Sequence, residues 1–147
     1  MKANTPDYLK YWRIIRQYMK VKHGVSQADL DMLLFLHSEK YFSGAKFAEF
    51  EAVLPWDKFR LARLKQNGWI EIFKGRREKG KVVYKLSHKA VLMIRDIYRK
   101  LGGEEIPTGT LHNKMFKKNV SYTDKVYRHM ILKMNEAIRQ QRRQTPE

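Results

Sequence analysis

Cysteine is absent from the 147 residues, which excludes a disulfide framework, a thiolate metal site and any switch that oxidises a thiol. Long apolar runs are missing too, and nothing approaches the roughly 20 residues a membrane-spanning helix needs. The opening residues, MKANTPDYLKYW, lack the apolar stretch of a signal peptide. Acidic residues are scarce: 15 Asp and Glu stand against 31 Lys and Arg, leaving a formal charge of +16 and an isoelectric point near 10.1. Catalytic signatures are also lacking. No phosphate-binding glycine loop, nucleophile elbow or dense acidic cluster occurs. His23, His37, His88, His112 and His129 are scattered without metal-ligand spacing. The expectation is a protein without enzymatic activity, cofactor or metal.

What is there suits one globular body. Chains of this length commonly form one domain, and the hydrophobic share of 43% is that of a packed protein. A surplus of positive charge attracts polyanions, so nucleic acid is the first candidate partner. The surplus is concentrated. Residues 1–60 carry ten basic against seven acidic residues, residues 61–100 twelve against three, and residues 101–147 nine against five. More than half of it therefore lies in the central stretch, interleaved with Leu61, Leu64, Trp69, Ile70, Val82 and Tyr84. That is a structured basic surface, unlike a solvated tail.

Thr5-Pro6-Asp7 reads as a helix start, and His23-Gly24 as its end, giving a helix over 6–23. Its apolar residues cover much of the circumference, which fits a central core helix or one shared with a partner subunit. Ser26-Gln27-Ala28-Asp29 resembles a capping box with Asp for Glu, opening a buried helix through LDMLLFLHSEKYF. Ser43-Gly44 opens a short helix with Phe47 and Phe50 inward, Pro55 breaks it, and residues 57–67 form a second, basic helix ending at Gly68. This is the outline of a helix-turn-helix. WIEIF and VVYKLS then alternate as strands around the basic turn KGRREKGK, which completes a winged helix. Ser87 caps another helix that ends at Gly102-Gly103. LHNKMFKKN, residues 111–119, reads as a short helix, and Ser121 or Thr123 starts a long final one with Tyr122, Val126, Met130, Met134 and Ile138 on one face. The predicted fold is mainly α with a small β-hairpin wing. One domain spans 1–147, with its winged-helix core at 26–101 between terminal helices at 6–23 and 108–145.

The order of elements, with Phe47-Ala48 before the turn, Arg63-Leu64-Lys65-Gln66-Asn67-Gly68-Trp69-Ile70 after it, and Leu86-Ser87-His88-Lys89-Ala90 after the wing, resembles the MarR family of winged-helix transcription regulators. One departure stands in the wing. The family's Asp-x-Arg is replaced by Arg76-Arg77-Glu78-Lys79, so the arginines precede the acid. The resemblance implies a homodimer held by its first and last helices, here through Tyr8, Tyr11, Trp12, Ile15, Tyr18, Met130, Met134 and Ile138. It implies two winged helices presented to a pseudo-palindromic duplex, and it leaves room for a small aromatic effector beside Trp12, Tyr18 and the Met-rich last helix. Without cysteine, the peroxide sensing of some family members is excluded.

The residues themselves suggest how binding would work. With Leu61 and Leu64 inward, a helical repeat turns Phe59, Ala62, Arg63 and Gln66 outward. Arg63 suits a bidentate contact to guanine and Gln66 one to adenine, while Lys58 and Arg60 flank them at phosphate. Phe59 is open: it fills the core beside Trp56 or touches a thymine methyl group. Arg76 and Arg77 are minor-groove candidates, with Lys74, Lys79 and Lys81 on the backbone. Lys114, Lys117 and Lys118 form a solvated face or meet flanking phosphate. The expected partner is double-stranded DNA and no membrane, in the cytoplasm and on the nucleoid when DNA-bound. A low-specificity architectural DNA binder, an RNA binder and a protein-interaction module are the alternatives.

Overall fold

The computed structural model describes residues 7–74 and 82–144. In chain order the elements are α1 (Tyr8–His23), α2 (Gln27–His37), β1 (Tyr41–Ser43), α3 (Gly44–Glu51), α4 (Arg60–Gln66), β2 (Ile70–Lys74), β3 (Val83–Leu86), α5 (His88–Leu101), a 3-10 turn (Lys114–Phe116) and α6 (Tyr122–Gln144). The chain divides into two compact units: Ser26–Arg95, and Met1–Val25 together with Asp96–Glu147. The division falls within α5.

In the central unit α2 starts where the sequence places it, with the Ser26 hydroxyl accepting the Asp29 N–H at 3.1 Å. Asp29 does not reach back to complete the reciprocal box. Its carboxylate turns to two arginines of α4 instead. Leu30, Met32, Leu33 and Leu36 are fully buried, each worth roughly 1.5–3 kcal/mol of transfer free energy. The helix expected to run through Phe42 stops at His37. Lys40 takes a φ of 66°, and Tyr41–Ser43 becomes a strand with Tyr41 outward and Phe42 inward. Three residues carry too little periodicity to separate helix from strand, and the partner that decides the matter lies some forty residues further on. Tyr41 pairs with Lys85, Phe42 with Tyr84 and Ser43 with Val83.

The sheet is antiparallel in the order β1-β3-β2. β2 pairs with β3 from Ile70–Leu86 onward, with an irregularity between Ile72 and Lys74. α3 is capped by Ser43, as expected, and buries Phe47; Phe50 is half-buried against Phe35, ring centroids 5.4 Å apart. The helix expected over 57–67 is shorter. The Asp57 carboxylate accepts the Phe59 N–H at 3.0 Å, winding residues 57–59 into a turn, and the helix begins only at Arg60. Gly68 ends it with a φ of 81°, a left-handed conformation that glycine adopts without strain. Helix, strand, two helices and two further strands on one sheet make a winged helix, so the fold class is the predicted one.

In the terminal unit Asp7, whose carboxylate accepts the Lys10 N–H, is the N-cap of α1, in the place expected for Thr5, which lies outside the described residues. Gly24 closes that helix at a φ of 68°. Ile14, Ile15, Tyr18 and Met19 of α1 are buried, as are Ile131, Met134, Asn135 and Ile138 of α6. Asn135 donates to the Ile106 carbonyl and accepts its N–H, both at 2.9 Å, fixing the loop after α5 against α6. The proposed interface residues need correction here. Tyr11, Ile15, Tyr18, Met134 and Ile138 are core within a single chain and offer no surface to a second. Only Tyr8 is exposed, while Trp12 and Met130 are half-buried. A helix apolar around most of its circumference can satisfy itself inside one chain, which the pattern alone does not reveal.

Candidate nucleic-acid interface

The C-terminal end of α4 is clasped by the turn after β3. The Ser87 hydroxyl donates to the Gly68 carbonyl at 2.6 Å and accepts the Ala90 N–H at 3.2 Å, so one side chain joins the end of α4 to the start of α5. The Lys89 ammonium donates to the Asn67 carbonyl at 2.9 Å and lies 4.1 Å from the centre of the buried Trp69 ring. Cations suit the negative end of a helix. Gly68-Trp69 and Leu86-Ser87-His88-Lys89 are therefore two halves of one joint.

The N-terminal end of α4 is held by charge. Arg60, only 3% exposed, sends Nε to Asp29 at 3.1 Å, one terminal nitrogen to Glu51 and the other to the Pro55 carbonyl at 2.9 Å. Arg63 grips Asp29 with Nε at 3.0 Å and Nη2 at 2.8 Å, and reaches Asp57 with Nη1 at 2.8 Å. The Phe59 N–H, and then Arg63, hold the Asp57 carboxyl below its usual range. Hydrogen bonds to Asp29 and Asp57 push Arg63 up in turn. Two planar guanidiniums on one buried carboxylate fix the rotation of a short helix that has no side-chain cap of its own.

This arrangement redistributes the expected contact residues. Leu64 is buried and Leu61 half-buried, so the inward face is as read. Arg60, expected at phosphate, is instead an interior cross-link, because Asp29 and Glu51 draw it in. Arg63, expected to face guanine, has all three guanidinium nitrogens on carboxylates. Lys58, Phe59, Ala62 and Gln66 face solvent. Phe59 is 63% exposed and Trp56 80%, which removes the reading in which the two share the core. Lys65 is an exposed cation on the same helix that the sequence reading passed over, its ammonium 5.3 Å from the Tyr84 ring. Arg76, Arg77, Lys79, Lys81 and the side chain of Lys74 lie outside the described residues. A cavity of about 360 Å³ in this unit is lined by residues of α2, β1 to β3 and α5, including Tyr41, Glu71 and Lys85, and by none of α4. Among the described residues no group of His, Asp and Glu is placed to hold a metal ion, and no helix is long and apolar enough to cross a membrane.

The fold and this joint define the class: a winged-helix protein. No family model and no curated protein matches the chain. Among solved structures it is similar to MarR from E. coli. A cysteine-to-serine mutant complexed with operator DNA shares 20% identity over 85% of this chain and 84% of that one, with a TM-score of 0.47. The wild-type apo form is 20% identical and the reduced form 22%, each over 85% of this chain and 87% of that one, with a TM-score of 0.46.

Proposed function

We propose that this protein binds double-stranded DNA in a sequence-specific manner and regulates transcription. The observation that carries the reading is the outward row on α4. Lys58 and Phe59, in the turn that leads into α4, and Ala62, Lys65 and Gln66, on the helix itself, are exposed beside a joint locked at both ends, and residues 74–81, from the last residue of β2 onward, hold five cations and one acid. A helix held this firmly presents its side chains at fixed spacing, which reading base edges requires. Gln66 supplies a bidentate adenine contact, Lys58 and Lys65 meet phosphate, and Arg60 and Arg63 position the helix. Arg76 and Arg77 enter the minor groove, with Lys74, Lys79 and Lys81 on the backbone.

The working unit in this reading is a homodimer formed through the terminal unit. Its surface is the exposed Tyr8 and the half-buried Trp12 and Met130, joined by the exposed Leu9, Leu111, Tyr122 and Val126. The net charge of +16 supports a second reading, an architectural or RNA-binding protein of low sequence preference. One selection separates them: purified protein against a random duplex library at about 150 mM salt, with single-stranded RNA as competitor. An enriched inverted repeat with half-sites about one helical turn apart supports the regulator. Tight, salt-sensitive binding without enrichment supports the architectural reading, and preferential loss to RNA moves the function off DNA.

A further inference from the structure

The three most exposed large apolar side chains among the described residues of the winged-helix unit lie within seven residues of one another. Val53 is 72% exposed, Trp56 80% and Phe59 63%, all in the segment leading from α3 to α4. Single exposed apolar side chains are ordinary, but three this exposed within one short segment are not, and they mark it as an apolar surface. The segment is held, and held inside out. Its charged side chains turn inward, Asp57 onto the Phe59 N–H and Arg63, and Arg60 onto the Pro55 carbonyl, Asp29 and Glu51. The aromatic side chains between them turn outward. Asp29, Glu51 and Asp57 are all taken up by the two arginines, so the charge presented beside the patch is the Lys58 ammonium, 5.3 Å from the Phe59 ring.

An apolar edge bordered by an exposed cation fits a polyanion that displays apolar groups between its phosphates. In a duplex major groove the thymine C5-methyl is the one apolar group on offer. We propose that Trp56 and Phe59 form an apolar reading edge that packs on thymine methyl groups at the N-terminal end of α4, with Lys58 on the adjoining phosphate. The inference rests on the DNA-binding reading above and names what this end of α4 recognises there.

The test uses a duplex pool with a randomised core, selected for binding and then amplified with either thymidine or deoxyuridine triphosphate. The two products differ only in the methyl groups. The protein should prefer the thymine form by roughly fourfold for each methyl it buries. Trp56→Ala/Phe59→Ala should lose that preference with an unchanged circular dichroism spectrum, and Trp56→Phe/Phe59→Leu should keep it. Equal binding of both forms overturns the reading edge while leaving DNA binding in place, and so does a preference that survives in the double alanine variant. Failure to bind either pool overturns both readings together. If the double variant binds as before but loses self-association by sedimentation, the patch belongs to a second copy of the chain, which also overturns the proposal.

Discussion

Each of the two compact units contains one buried carboxylate shared among several cations, and the two clusters differ in reach. In the terminal unit Asp96 receives the Lys100 ammonium at 2.8 Å, Arg99 at 2.9 Å and Lys22 at 3.5 Å. Two of these partners lie within one helical turn, and Lys100 has a second carboxylate in Glu104 at 2.7 Å. Burial alone would raise the Asp96 carboxyl, but Lys100, Lys22 and Arg99 outweigh it and hold it low. In the central unit the partners of Asp29 are Arg60 and Arg63, more than thirty residues away. The first cluster staples a helix to itself and to α1. The second ties α2 to α4 and so sets the angle at which the candidate reading helix is presented. Lysine serves where a point charge suffices, and arginine where a plane must be held.

Removing each central carboxylate is the strongest way to break this comparison. Asp29→Ala removes three charged hydrogen bonds at once, leaving the buried Arg60 with Glu51 and the Pro55 carbonyl and Arg63 with Asp57; a loss of about 3–5 kcal/mol is expected by urea denaturation. Asp96→Ala should cost less, about 2 kcal/mol, because Lys100 keeps Glu104. Equal losses would show that the long-range cluster has no special weight. Ser87→Ala removes a cap and the partner of the Gly68 carbonyl, and should cost about 1.5 kcal/mol. Its effect on DNA affinity should exceed what that instability explains, since the end of α4 is released.

How much of this was open to sequence reading follows the same division. Ser26, Ser43, Ser87, Gly24 and Gly68 act within a few residues of themselves, and all five stand where caps and turns were expected. Strand β1 was missed because its partner lies far along the chain. Arg60 looked like a phosphate contact and Arg63 like a base contact for the same reason: Asp29, which draws both in, lies more than thirty residues earlier. Phe59 stood open between the core beside Trp56 and a thymine methyl group, because aromatic residues are usually core. Exposure is a property of the fold, not of the residue.

Titration offers a weaker test, confined to the terminal unit. Burial, with Asp96 and Glu104 near, pushes the Tyr18 hydroxyl up to about 12 from an ordinary 10.0. A raised value means that the folded state favours the neutral phenol. The stability it confers is therefore intact below pH 10 and is lost as pH climbs towards 12. Thermal melts across that window should fall for the parent protein and fall less steeply for Tyr18→Phe.

On the proposed reading, DNA is met by the outward side chains of α4 and of the turn before it, and not by the arginines of α4. Fluorescence anisotropy against the selected duplex, with affinity followed over a range of salt, tests it most directly in Lys58→Ala and Gln66→Ala. Lys58→Ala should weaken binding to all sequences alike and lower the salt slope by about one. Gln66→Ala should leave the slope alone and relax preference at one base pair, at a cost of about 1–3 kcal/mol. If both variants bound as the parent does, with circular dichroism unchanged, α4 would not be the reading helix.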